Sequence, residues 1–229
     1  MILKDFEERY TPKSVNDIVF ADDSSKNLID DLISGARPFP LRENKSGILL
    51  YGVPGTGKSA LAKLLPDAME MARSGQDAYQ EYIRVQQGLN GLKMFAKLSH
   101  ASSLVPPSGT LNYFVLDEVD NLNKVAMRTL KSLMNTPDCV FILTTNYFKE
   151  MESGVINRCH CIPFNAAQDM GWLPLTQRIL TDHGITGIST QLLLNVIATG
   201  NGSARNVMDA VIDLITKTKR AAAKGLVIP

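Results

Sequence analysis

Gly52-Val53-Pro54-Gly55-Thr56-Gly57-Lys58-Ser59 is the stretch on which the reading of this sequence turns. It is preceded by the apolar run Gly47-Ile48-Leu49-Leu50-Tyr51 and followed by a segment of helical character from Ser59 to Met71. A strand, a glycine-rich turn and a helix in this order make a phosphate cradle. The glycines let backbone N–H groups curl inward, and the helix presents its positive end to the anion. Pro54, Gly55, Thr56, Gly57, Lys58, Ser59 and Ala60 are therefore the expected contacts of a nucleotide, read here as ATP. Lys58 is expected on the β- and γ-phosphates and the Ser59 hydroxyl on Mg²⁺.

A second motif agrees with the first. Phe114-Val115-Leu116-Asp117-Glu118 is an apolar strand ending in two carboxylates. Asp117 is expected to hold the Mg²⁺, directly or through water, and Glu118 to polarise the attacking water. The next apolar strand ends in Thr144-Thr145-Asn146. Ligands of parallel α/β sheets sit at the carboxyl ends of the strands, so Asn146 is expected in the same crevice. There it would orient the water or touch the γ-phosphate; an asparagine that merely turns a strand end would look the same.

Continuous apolar runs at 47–51, 112–116 and 139–144 suit strands covered on both faces, with 82–85 and 159–164 as weaker strands of the same parallel sheet. A helix is expected over 23–35, closed by Gly35. The first twenty residues read as an extended arm, because the proline of Tyr10-Thr11-Pro12 disfavours helix before it. Helical patterns at 168–182, 189–199 and 203–219 form a separate all-α unit. The expected organisation is an α/β domain over 1–165, a helical lid over 166–219 and a tail over 220–229. That tail, with apolar 225–229, reads as disordered or as a strand that docks on a partner.

Charge and cysteines bound the rest. The formal net charge is +1, so any nucleic acid must be met by a local basic patch. Three cysteines make no disulfide framework, and Cys159-His160-Cys161 lacks the second ligand pair of a zinc site. Strand alternation puts those two thiols on one face and His160 on the other. An acidic amino terminus and the lack of any long apolar run lead us to expect a cytoplasmic protein that does not enter a membrane.

Taken together, the order of the motifs resembles AAA+ ATPases, and within them the clamp-loader subunits of the replication-factor-C and DnaX-like group. Residues 8–19, beginning Glu8-Arg9-Tyr10-Thr11-Pro12, resemble that group's amino-terminal signature, with Thr11 in place of arginine. Asn157-Arg158-Cys159 resembles its Ser-Arg-Cys motif, and Gly202-Ser203-Ala204-Arg205 its sensor-2 motif. The resemblance implies that Tyr10, Pro12, Ile18 and Val19 pack near the adenine. It also implies that Arg158 is an arginine finger serving a neighbouring subunit, and that Arg205 touches the same nucleotide from the lid.

The implied assembly is a homo-oligomer, or a hetero-oligomer with related subunits, switching on DNA. A sliding clamp or a helicase is the further partner. Arg128 and Lys131 stand where clamp loaders carry DNA-tracking basic residues, and Ser132 where a second arginine often stands. Clamp loaders also continue into a helical collar, and a relative without that collar is the expectation here. A helicase-loader or transposition-type adaptor is the alternative expectation, and a nucleotide-binding subunit with vestigial hydrolysis a third.

Overall fold

The computed structural model describes residues 3–40, 44–87 and 92–223. Five strands, β1 (Gly47–Tyr51), β2 (Tyr79–Arg84), β3 (Asn112–Asp117), β4 (Cys139–Thr145) and β5 (Cys159–Pro163), form one sheet in the order β2-β3-β4-β1-β5. Every neighbouring pair is parallel. β3 and β4 are buried along their whole length and β1 nearly so, while the edge strand β2 is only partly covered. This is why the central strands are uniformly apolar.

Alternation divides the sheet's side chains between two cores. Leu49, Phe114, Leu116, Phe141 and Leu143 face one layer with α4 (Leu92–Ser102) and α5 (Lys124–Leu133). Ile48, Leu50, Tyr113, Val115 and Ile142 face the other, against α2 (Asp23–Ser34) and α3 (Lys58–Ser74). The short helix α6 (Ser153–Ile156) leads into β5. Cys159 and Cys161 pack on the first side, whereas the His160 ring meets Phe39 edge-on at 5.5 Å on the other. Cys161 is only half-buried. Among the described residues no group of three or more His, Cys, Asp or Glu could hold a metal ion, and no helix is long and apolar enough to cross a membrane.

A third core lies among α7 (Asp169–Asp182), α8 (Thr190–Ala198) and α9 (Ala204–Ala223). It includes residues expected to be extended: α1 spans Leu3–Tyr10 and buries Phe6 and Tyr10 against this helical unit. The proline restricts only Thr11, the residue before it, so the helix is free to run to Tyr10. Phe6 and Tyr10, four apart, fall on one helical face, with ring centroids 4.7 Å apart. The last helix also runs beyond the expected 219, carrying 220–223 as helix rather than tail. The apolar segment 225–229 lies outside the described residues.

Buried Glu70 ties α3 to the approach of β3. Its carboxylate accepts from the Ser74 hydroxyl at 2.8 Å, the Thr110 N–H at 2.7 Å, the Thr110 hydroxyl at 2.8 Å and the Tyr113 hydroxyl at 3.0 Å. Burial acts to raise its pKa, but the donors outweigh burial and hold it below the usual 4.5. A depressed carboxyl contributes stability above its unfolded value and loses it as pH falls through the lower folded one. Glu70→Gln is therefore expected to cost about 1–3 kcal/mol at neutral pH. The gap from the wild type closes on acidification below about 4.5, as read by denaturant unfolding across pH.

Candidate functional site

The site hangs from the carboxyl end of β1. Gly52 has φ 146° and Gly57 φ 102°, values that favour glycine. A Cβ on Gly52 would lie 2.4 Å from the Phe164 carbonyl oxygen, so the backbone itself excludes a side chain there. The Thr56 hydroxyl donates to that carbonyl at 3.0 Å, and the Phe164 N–H donates to the Tyr51 carbonyl at 2.6 Å. The loop is thus clamped to the chain just after β5. Pro54, Gly55 and Thr56 form its crest, and Lys58, Ser59 and Ala60 open α3.

The Lys58 ammonium donates to the carbonyls of Gly52 at 2.9 Å and Val53 at 2.7 Å. Burial lowers its pKa from 10.5 to about 8, against the opposing pull of Asp117 and Asp120. The lysine therefore waits at the loop as a partly desolvated cation, which an anionic phosphate would stabilise.

Asp117, at the end of β3, collects three hydroxyls. Ser59 donates to Oδ1 at 2.7 Å, Thr144 to Oδ1 at 2.5 Å and Tyr82 to Oδ2 at 2.8 Å. Burial acts to raise the Asp117 pKa, and these bonds more than reverse it, so the carboxylate stays ionised. The Ser59 and Asp117 oxygens are hard donors within one coordination radius of a common point, so the pair fits Mg²⁺.

Glu118 has φ 62° and ψ 50°, a left-handed geometry unusual for glutamate. Its N–H donates to the Thr144 hydroxyl at 2.9 Å, and its carboxylate is held by Arg84 through Nε at 3.1 Å and Nη2 at 2.8 Å. Asn146 follows β4 at the same edge, its N–H donating to Asp120 Oδ1 at 3.2 Å. Asp117, Glu118 and Asn146 thus meet Lys58 and Ser59 at one end of the sheet.

The helical unit closes over the loop. The Ser203 hydroxyl, just before α9, donates to the Gly55 carbonyl at 3.4 Å, and exposed Arg205 sits in the first turn beyond it. Ile18 and Val19 line a cavity of about 480 Å³ shared with Phe20, Gly171, Pro174 and Leu175. The Phe20 ring meets Phe164, the residue that clamps the loop, edge-on at 5.5 Å. Tyr10 and Pro12 line a smaller neighbouring cavity of about 270 Å³, and the Tyr10 hydroxyl donates to Asp182 at 3.0 Å. Of the four residues expected near the adenine, Ile18 and Val19 border the larger cavity, and Tyr10 is committed to the helical core.

Arg158 lies elsewhere. It precedes β5, at the amino end of the parallel sheet, where Nε donates to Asn135 Oδ1 at 2.8 Å and Nη1 to the Gly154 carbonyl at 2.9 Å. Five strand residues at about 3.3 Å each separate it from the edge that carries the loop.

Tyr82, Arg84, Thr144, Ser203 and Phe164 complete the site, and the motifs did not single them out. Thr144 and the two β2 residues lie toward the carboxyl ends of the strands on either side of β3, so strand order is the missing signal. Thr144 and Ser203 lie inside the 144–146 and 202–205 motifs, where Asn146 and Arg205 carry the signal. The Phe164 contact is made by a backbone carbonyl and leaves no mark in the sequence.

Comparison with known proteins agrees with this geometry. Residues 48–164 match the ATPase family associated with various cellular activities (AAA). The replication factor C small subunit of Aeropyrum pernix is 27% identical over 180 residues, covering 78% of this chain and 53% of that one. Small subunit 2 of Pyrobaculum islandicum is 25% identical over 239 residues, covering 97% and 69%. The chain spans about half the length of the first curated relatives it matches. A RuvB structure from Thermotoga maritima superposes with a TM-score of 0.68 at 15% identity, over 95% of this chain and 68% of that one, a likeness of fold.

A nucleotide phosphate bound at this loop would keep Lys58 protonated, whereas the free site releases the proton as pH rises through about 8. Nucleotide affinity is expected to fall above that pH. The stability of the nucleotide-free protein should rise between about 8 and 10.5, because only the unfolded chain still holds the proton. Lys58→Met should raise the nucleotide-free melting temperature and abolish binding, as checked by thermal scans and titration with a fluorescent ATP analogue.

Proposed function

The chain belongs to the AAA family of ATPases, and from that premise we propose that it binds and hydrolyses ATP as one subunit of a clamp-loader-like oligomer acting on DNA. The observation that carries this reading is the position of Arg158. Phosphoryl transfer needs positive charge around the transferred group, and an arginine supplied in trans can be worth orders of magnitude in rate. Arg158 stands at the end of the sheet opposite its own loop, which supports a role at another subunit's nucleotide rather than its own.

Within one subunit the roles divide as follows. Backbone N–H groups of the loop and Lys58 bind the phosphates. Ser59 and Asp117 would hold Mg²⁺, which when bound offsets phosphate charge. Glu118 polarises the attacking water once Arg84 releases it, Asn146 orients that water, and Arg205 reaches the γ-phosphate from α9. Ile18 and Val19 face the adenine. Residues 1–165 act as the nucleotide-binding unit and 166–219 as a lid, with α1 packed into the lid's core. Partners are related subunits and DNA, with a sliding clamp as the further target.

Glu118→Gln is expected to bind ATP and lower turnover by at least about a hundredfold. Arg158→Ala should abolish hydrolysis with ATP binding intact, and mixing it with a Lys58→Met subunit should restore part of the activity. A normal rate from isolated Arg158→Ala monomers would remove the trans assignment. Arg84→Ala should raise the basal rate by freeing Glu118. Primed DNA should stimulate the wild type; an unstimulated rate would favour a protein-recruiting adaptor.

A further inference from the structure

The edge strand β2 sends two side chains from one face toward the catalytic carboxylates. Tyr82 and Arg84 are two residues apart, and their backbone partners on β3 are Val115 and Asp117. Arg84 takes Glu118, and Tyr82 takes Asp117. The second contact has a geometric consequence. Ser59 and Thr144 both donate to Oδ1 of Asp117, so the restraints from α3 and from β4 fall on one of the two oxygens. Tyr82 donates to Oδ2, at 2.8 Å, and restrains the second oxygen from the side of β2.

We infer that Tyr82 is a positioning residue for the metal-binding carboxylate, fixing Oδ1 toward Ser59 and Oδ2 toward β2. Its side chain suits the task. A tyrosine has two rotatable bonds before its ring, and this ring is steadied by the Lys63 ammonium, 4.2 Å from the ring centroid. The hydroxyl reaches into the site from a residue that is 39% exposed overall, so the anchor comes from the rim of the sheet and not from its core. A carboxylate held in one orientation loses less freedom when a cation binds, and outer hydrogen bonds of this kind typically change metal affinity by about 10–100-fold.

The inference rests on the proposed nucleotide site, and the experiment separates the two. Full-length wild type, Tyr82→Phe and Tyr82→Met are titrated with a fluorescent ATP analogue in EDTA, then with Mg²⁺ at fixed analogue. Mn²⁺ binding is followed in parallel by electron paramagnetic resonance. Tyr82→Phe deletes only the hydroxyl's bond, and Tyr82→Met removes the ring and its Lys63 contact as well. The expected result is a rise of about tenfold in the metal concentration at half-saturation, with metal-free analogue affinity within about twofold of the wild type. Equal metal dependence in all three proteins overturns the role of Tyr82. So does an equal loss of metal-free and metal-dependent binding, which marks a general disturbance of the site. A wild type that binds no analogue in either condition removes the nucleotide site itself.

Discussion

Asp117 is a carboxylate with 4% of its surface exposed, and the site is organised around keeping it charged there. A buried charge is tolerated only when hydrogen bonds replace the lost water. Here the donors come from three directions: Ser59 from the first turn of α3, Thr144 from β4 and Tyr82 from β2. Satisfying this one group fixes how the glycine-rich loop, β4 and the edge strand stand relative to β3. Thr144 does further duty, since the same hydroxyl accepts from the Glu118 N–H and helps hold that residue in its left-handed turn.

Lys58 shows the cost of function on the same edge. A lysine whose pKa is pushed down to about 8 is a charge held where water is scarce, and the fold alone would be more stable without it. Two loop carbonyls accept hydrogen bonds from its ammonium. A nucleotide phosphate would supply the opposite charge that the carbonyls only approximate. Glu118 is in a related condition, neutralised by Arg84 across from β2. Both groups are held by polar contacts that a ligand can replace.

Much of this was legible in the sequence. The loop, the carboxylate pair and the asparagine were found by motif and spacing, and the parallel sheet by unbroken apolar runs. The arm was misread because the effect of Pro12 was extended past Thr11, and because the Phe6 and Tyr10 pair has no meaning until a helical core stands opposite it. The Tyr10 hydroxyl is anchored to Asp182, 172 residues away in the chain, a contact no local pattern encodes.

The sequence by itself determined the chemistry: glycines where only positive φ fits, a lysine and a serine opening a helix, and two acids ending a strand. These depend on neighbours along the chain, and short-range sterics and hydrogen bonding suffice to read them. The tertiary structure alone decided which strand lies beside which. Strand order placed Tyr82 and Arg84 against the acids, set Arg158 at the far end of the sheet from its own loop, and brought the Ser203 hydroxyl onto Gly55. Those juxtapositions arise from burying both faces of a parallel sheet and closing a helical unit over one edge, and that packing joins residues which no spacing in the chain relates.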